Sequence, residues 1–256
     1  MADSPFERFR QSILTRYSSR ELAARLTAIG SVSRAAHGQR IALDPAADQL
    51  VFLASGSTKL VVRMPDGSEQ VLAFHFAGDM IHLPRRPGND FDLVALVDCT
   101  AISFPAMAFL DIAEAEPAVL RTILLRALMA LQRSRNKAIR LGRKSAQERI
   151  ADFLLAMAER IGIPDGTAIR LDLPMSRRDI GNSLGLTIET VSRQFSELRE
   201  DHLIATAGRS LVWLQDRAEL EVRAGHVATP VSGTEICAGS KKASHTRPIA
   251  EADSGV

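Results

Sequence analysis

Residues 176–198 constrain the fold more than any other part of the sequence, because they read as two short helices joined by a tight turn. Ser176 and Asp179 have the spacing of a capping box at the start of the first helix. Gly185 stands where a sharp corner needs a residue without a Cβ, and Thr187 can cap the second helix. Each helix has its own apolar face, formed by Ile180 and Leu184 and by Val191, Phe195 and Leu198. The segment therefore predicts a helix-turn-helix.

Two further features complete this motif. "LIATAGRSLVWLQ" follows as two short strands around a Gly-Arg tip, which turns the motif into a winged helix. The outward side of the second helix carries Glu189, Ser192 and Arg193 in its first turns, where recognition helices meet base edges. Arginine can bind guanine with two hydrogen bonds, glutamate can accept from the cytosine amino group, and serine can reach several edges. We therefore predict that these three residues read bases.

A plain helix ion pair between Glu189 and Arg193 is the alternative, worth roughly 0.2–0.5 kcal/mol at this i,i+4 spacing. Both interpretations hold at once if Glu189 aligns Arg193 before DNA binds. Other polar residues of the motif and the wing are expected to contact phosphates: Arg177, Arg178, Thr187, Thr190 and Arg209.

Residues 35–104 consist of short runs that are rich in β-branched side chains and separated by turn residues. The runs are "QRIAL", "QLVFLA", "TKLVVRM", "QVLAFHF", "DLVALVD" and "TAISF". Asp66 and Gly67 form a strong hairpin signal. This spacing predicts a β-barrel or jelly roll. An amphipathic helical lead-in over residues 1–30 precedes it, with Leu14, Leu22 and Leu26 on its apolar side.

A heptad seam then predicts a long helix. Apolar and small residues recur at alternating spacings of four and three, namely at Leu120, Leu124, Ala127, Leu131, Ser134, Ala138 and Leu141. Self-association through this seam is the favoured interpretation, and a helix lying on its own β-domain is the alternative. Gly142 predicts a hinge, and residues 145–161 predict a second helix.

The predicted fold class is α+β, with an N-terminal β jelly roll, a long dimerisation helix and a C-terminal winged helix-turn-helix. We place an N-terminal helix and sensor-like β-domain at 1–115, the dimerisation helix at 116–143 and the DNA-binding domain at 144–225. The remaining tail, 226–256, is rich in Ser, Thr, Gly, Pro and Lys and is predicted to be disordered.

Charge and cysteine usage exclude several classes. The formal net charge is only +2, but seven basic residues against one acid lie between 133 and 149, which suits a polyanion or a solvated helix face. The two cysteines, Cys99 and Cys237, form no CxxC, so a disulfide scaffold or a multi-cysteine metal site is not expected. The N-terminus lacks an apolar signal region, and no apolar run is long enough to span a membrane. We therefore expect a cytoplasmic protein.

"DIGNSLGLTIETVSR" resembles the helix-turn-helix of the CRP/FNR superfamily of bacterial transcription regulators. It is most similar to the FNR and FixK branch, whose E-x-x-S-R signature corresponds here to Glu189, Ser192 and Arg193; Gln194 departs from the apolar residue often found at its position. The likeness extends from about residue 35 to 220. It implies a cyclic-nucleotide-binding-like β-domain and a homodimer on double-stranded DNA at a TTGAT-N4-ATCAA-like palindrome. It also implies gene activation and contact with RNA polymerase.

The sequence says less about the signal to which the protein responds. Cyclic-nucleotide binders of this superfamily carry a Gly-Glu and an Arg-Ser pair, whereas Asp90 and Asp92 lie near the expected phosphate site and would repel a phosphate; Arg85 and Arg86 could compensate only by a different geometry. The first 98 residues contain no cysteine, which excludes the N-terminal iron-sulfur cluster of FNR-type sensors. We therefore predict no cofactor and control through the protein's own expression, as in FixK-like regulators.

Two alternatives stay open. One is an effector-gated regulator that binds a small molecule or haem in the β-domain, where His37, His75 and His82 are the candidate haem ligands. The other is a cupin-like enzyme. Cupin metal sites need clustered His and Glu, and this chain has neither an H-x-H pair nor a nucleophile-base constellation, so we predict no metal and no enzymatic activity.

Overall fold

A computed structural model describes residues 4–14, 18–64, 67–84 and 91–226. The N-terminal part contains α1 (Pro5–Ile13), α2 (Arg20–Ile29), β1 (Ser31–Ala35), β2 (Gln49–Ser55), β3 (Ser57–Arg63), β4 (Glu69–Phe76), β5 (Met80–Leu83), β6 (Phe91–Ala95), β7 (Cys99–Pro105) and α3 (Ala106–Ala113). The C-terminal part contains α4 (Pro117–Arg143), α5 (Ala146–Ile161), β8 (Ile163–Asp165), β9 (Ala168–Asp172), α6 (Arg177–Leu184), α7 (Ile188–Glu200), β10 (Ile204–Ala207), β11 (Leu211–Leu214) and α8 (Arg217–Arg223).

The N-terminal strands form two antiparallel sheets, with strand orders β1-β7-β2-β5 and β4-β3-β6. An apolar core that includes Val51, Leu53 and Leu93 fills the space between them, and the predicted jelly roll is confirmed. The prediction of a strand at "QRIAL" is wrong, because only an isolated bridge joins Arg40 to Val94 there. The strand at β1 was missed, since this mostly exposed edge strand pairs only with β7 and lacks an alternating apolar pattern.

The helical lead-in consists of two capped helices rather than one. Ser4 caps α1 and Ser19 caps α2. Phe9 of α1 packs with the rings of Phe52, Phe104 and Phe109, so the N-terminal helices complete the core of the β-domain.

The helix α4 ends at Arg143, one residue after Gly142. Gly142 lies inside the helix, and the break falls at Lys144, whose φ of −96° and ψ of 143° are extended. Ser145 then starts α5 with a capping box to Glu148. The break therefore lies two residues beyond Gly142, where the cap of the next helix fixes it.

The C-terminal strands form one sheet of order β10-β11-β9-β8, against which α5, α6 and α7 pack. The predicted winged helix-turn-helix is confirmed. The segment "IPDG" contributes the short strand β8 before Gly166 turns the chain with a φ of 63°.

One apolar core joins the β-domain to the winged helix. Val61, Val71 and Phe74 of the β3–β4 hairpin belong to the same buried cluster as Phe153 and Leu154 of α5. The rings of Phe74 and Phe153 meet edge to face, with their centroids 6.1 Å apart. The winged helix therefore packs directly on the outer face of this hairpin.

Candidate nucleic-acid interface

The corner between α6 and α7 is fixed by capping bonds and two glycines. Ser176 Oγ accepts from the Asp179 N–H, and the Asp179 carboxylate accepts from the Ser176 N–H. Gly185 ends α6 with a φ of 64°, as the sequence predicts. Gly181 was missed: a Cβ there would lie 2.6 Å from the Leu186 carbonyl oxygen. Only glycine lets the two helices approach this closely.

The first helix of the motif is held from outside by side chains of the β-domain and α4. Lys59 Nζ donates to Asp179 Oδ1 at 2.7 Å. Lys137 Nζ donates to Ser183 Oγ at 3.0 Å and to the Val71 carbonyl at 2.8 Å. We call these contacts, together with the bond from Gln70 to the Asn182 carbonyl, the α6 clasp.

Burial shapes the charges in the α6 clasp. On its own, burial would raise the pKa of Asp179, but hydrogen bonds from Lys59 and Ser176 outweigh it and hold the pKa below its usual value. Burial, with Arg140 nearby, lowers the pKa of Lys137 to about 8. Sequence reasoning missed Lys59 and Lys137 as structural residues, because a lysine that contacts a distant element resembles any surface lysine.

The three predicted base-reading residues are exposed together on α7. The alternative ion pair between Glu189 and Arg193 is not the one that the structure shows, however. Arg193 Nε lies 3.7 Å from Glu197 Oε1, on the other side. The Glu189 carboxylate instead accepts hydrogen bonds from its own backbone N–H and from the Thr187 side chain, which lower its pKa. Ser192 Oγ donates to the Ile188 carbonyl at 2.8 Å.

The predicted phosphate contacts divide into two groups. Arg178, Thr187 and Arg209 are exposed, with Arg209 at the wing tip, and Thr190 is half-buried beside Thr187. Arg177 differs, because its guanidinium lies 3.3 Å from the centroid of the Phe195 ring. Burial lowers the pKa of Arg177 to about 10. This cation–π contact directs Arg177 toward the protein and does not favour a phosphate contact in this conformation.

The α4 seam is largely exposed. Leu124 is 58% exposed and Leu131 is 46% exposed; Ala127, Ser134 and Ala138 are also exposed, whereas Leu141 is half-buried. Leu120, at the start of the seam, packs partly on its own β-domain, so the alternative interpretation holds for the first turns of the helix. Four exposed apolar neighbours were missed: Leu125, Leu128, Met129 and Ile139.

The candidate haem ligands have protein partners. His37 Nδ1 lies 2.7 Å from the Leu96 carbonyl oxygen, His75 Nδ1 lies 3.6 Å from Asp79, and His82 Nε2 lies 3.6 Å from Asp48. Across the described ranges, no group of three or more His, Cys, Asp or Glu is placed to hold a metal ion.

Asp92, one of the two carboxylates expected near the phosphate site, lies within ion-pair distance of Arg40 and Arg63. Cys99 is buried in β7, and this burial raises its pKa. The predictions for Asp66, Arg85, Arg86, Asp90, Cys237 and the tail from residue 227 lie outside the described residues.

No helix in the described part of the chain is both long and apolar enough to cross a membrane.

Comparison with known proteins agrees with this architecture. Residues 148–223 match the Crp-like helix-turn-helix domain, and residues 41–116 match the cyclic nucleotide-binding domain. The nitrogen fixation regulation protein FixK of Bradyrhizobium diazoefficiens is 37% identical over 150 residues, which cover 59% of this chain and 63% of that protein. The transcriptional activator protein FnrL of Cereibacter sphaeroides is 33% identical over 185 residues, which cover 70% of this chain and 75% of FnrL.

A solved structure is also similar. FixK2 from Bradyrhizobium japonicum superposes with a TM-score of 0.66 at 28% identity, over 76% of this chain and 96% of that one. The chain therefore belongs to the CRP/FNR family of transcription regulators, which are not enzymes, and to its FixK-like branch.

Proposed function

We propose that this protein activates transcription as a homodimer bound to a TTGAT-N4-ATCAA-like palindrome, and that it reads the site with Glu189, Ser192 and Arg193. One observation carries the proposal. These three side chains are exposed together on the first turns of α7, and the capped corner to α6 fixes the direction of that helix. A rigid helix with exposed donors and acceptors in its first turns suits the major groove.

The dimer would form through α4. Leu124, Leu128 and Leu131 are each about half exposed in the single chain and lie at the spacing of one helix face. Burying such a stripe against a second copy removes apolar surface from water. The resulting two-fold symmetry matches a palindromic site. RNA polymerase is the further partner of an activator, and the exposed phosphate-contact candidates Arg178, Thr187 and Arg209 would flank the base contacts.

We propose further that the regulator works without an iron-sulfur cluster and without a bound effector. The first 98 residues hold no cysteine, and Cys99 is buried in the sheet. Its activity would then follow from its amount in the cell.

Fluorescence anisotropy with labelled duplexes tests the proposal. The palindromic duplex should bind more tightly than a scrambled duplex of equal composition, at fixed salt because the phosphate contribution depends on it. A duplex with half-sites moved by five base pairs should lose the preference, since the two recognition helices would face opposite sides of the DNA. Equal binding to all three duplexes would refute site recognition.

Leu131→Glu tests the dimer interface. It should give monomers in sedimentation velocity, because it would place a charge inside the proposed apolar seam. Asn136→Glu, also exposed on α4 and turned about 140° from Leu131 around the helix axis, serves as the charge control and should remain dimeric. A dimer that survives Leu131→Glu would contradict this interface.

A further inference from the structure

Glu197 pairs with Arg193, one of the three candidate base-reading residues. Its Oε1 lies 3.7 Å from Arg193 Nε, one helical turn earlier. The side chains of Arg193 and Glu197 are 68% and 42% exposed, so the contact lies on the outer face of α7. Glu189, which precedes Arg193 by one turn, is instead bonded at the start of the helix.

The second oxygen of Glu197 is held from inside the domain. Gln194 Nε2 donates to Glu197 Oε2 at 2.8 Å, and Gln194 is only 6% exposed. A packed side chain has few rotamers left. The carboxylate is thus anchored by a buried amide on one side while it faces Arg193 with the other.

The atom that Glu197 faces decides what Arg193 can do. A guanidinium offers two edges for bidentate binding, one of which uses Nε. Because Nε of Arg193 faces Glu197, its two terminal Nη groups remain for the paired hydrogen bonds to guanine O6 and N7. Such a side chain, already oriented, loses less rotamer freedom on binding than an unanchored arginine.

From this arrangement we infer that Glu197 is a positioning residue, which orients Arg193 for end-on recognition of guanine, and that buried Gln194 holds Glu197 in place. The inference rests on the proposed function, in which Arg193 reads a base. It assigns specificity to two residues outside the E-x-x-S-R signature.

Removing the Glu197 carboxylate distinguishes a positioning role from simple charge repulsion, because the two roles predict opposite changes in affinity for the palindromic duplex. If Glu197 only repelled DNA, Glu197→Gln would strengthen binding to every duplex, since one negative charge is lost. If it positions Arg193, the ratio of palindromic to scrambled affinity should fall about threefold, because orienting the side chain must then occur on binding. Palindromic affinity itself should fall, while scrambled affinity stays level or rises.

Glu200→Gln is the matched control. Glu200 is exposed on the same helix and lies seven residues beyond Arg193, about 10 Å along the axis. Its removal should leave the affinity ratio unchanged. Gln194→Met, which keeps the side-chain length and releases Glu197, should lower the ratio in the same direction but less. Thermal unfolding of each variant distinguishes lost positioning from lost folding.

A double-mutant cycle completes the test. In the Arg193→Ala background, Glu197→Gln should no longer change the affinity ratio, because the residue acts through Arg193. The inference is overturned if Glu197→Gln behaves like Glu200→Gln, or if it still lowers the ratio when Arg193 is absent. If the unmodified protein does not prefer the palindrome and Arg193→Ala changes nothing, the proposed function fails as well, so the two failures are distinguishable.

Discussion

The winged helix has two sides that use their polar residues in opposite ways. On the side that packs on the β-domain, Asp179 and Ser183 bond to lysines from distant elements, and Arg160 pairs with Asp79. On the exposed side, Arg193 pairs with a neighbour on its own helix, and Arg209 is exposed at the wing tip. The packed side fixes the position of the winged helix on the β-domain, and the exposed side remains available to bind a partner. Changes on the packed side should therefore alter stability, and changes on the exposed side should alter DNA binding alone.

The largest effect is expected from Asp179→Ala. This change leaves Lys59 without its carboxylate and removes half of the α6 capping box. Breaking a partly buried ion pair and a cap together should lower the free energy of unfolding by about 2–4 kcal/mol. Urea unfolding measures this, with exposed Asp172→Ala as the control. Equal stability of the two variants would break the contrast between the sides.

The next largest effect is a loss of stability at acid pH that depends on Asp79. Burial would raise the pKa of Asp79, but the neighbouring His75 side chain and the charge of Arg160 hold it at about 2. An unfolded aspartate titrates near 4, so the stability contribution is present above that pH and is lost as the pH falls toward about 2. It amounts to about 2 kcal/mol. Unfolding measured between pH 5 and pH 2 should show a flatter acid limb for Asp79→Asn; identical pH profiles would argue against this role.

On the exposed side, Arg193→Ala should change binding without changing stability. Losing a bidentate guanine contact should remove about 1–3 kcal/mol of discrimination between palindromic and scrambled duplexes, while the thermal midpoint stays the same. Arg199→Ala, on the last turn of the same helix, is the control and should keep the discrimination. Unchanged discrimination after Arg193→Ala would contradict base reading by this residue.

The smallest effect is expected at the wing tip. Arg209→Gln should weaken binding to all duplexes alike and reduce the slope of log affinity against log salt by about one unit, as for the loss of one phosphate contact. Arg177→Gln supplies the comparison, because its guanidinium packs on Phe195. We expect the Arg177 variant to keep the salt slope and to lose stability instead. The reverse pattern would place Arg177, rather than Arg209, against the phosphates.

The sequence predicted those features that depend on neighbouring residues. The capping box at Ser176 and Asp179 and the left-handed turn at Gly185 arise within a few residues of chain, so their signals are local. The contacts of Lys59 and Lys137 with α6 join residues far apart in the chain. Nothing in the sequence around a lysine indicates a contact with a distant element. The contacts on the packed side were therefore not predicted.

The partner of Arg193 shows a second limit. Acids stand one turn before it and one turn after it, at Glu189 and Glu197, and both spacings suit an ion pair. The start of the helix decides between them, because free N–H groups there attract a carboxylate. Glu189 is bonded in that first turn, which leaves Glu197 for the arginine. The i,i+4 spacing alone therefore does not identify the partner of Arg193.

The apolar core shared by Val61, Val71, Phe74 and Phe153 bears on how such regulators can be rebuilt. A winged-helix domain transplanted from a relative would have to cover the same three apolar side chains of the β3–β4 hairpin. Otherwise it would leave an apolar patch exposed to water. New operator specificity is therefore more accessible through substitutions on the outer face of α7 than through exchange of the whole C-terminal module.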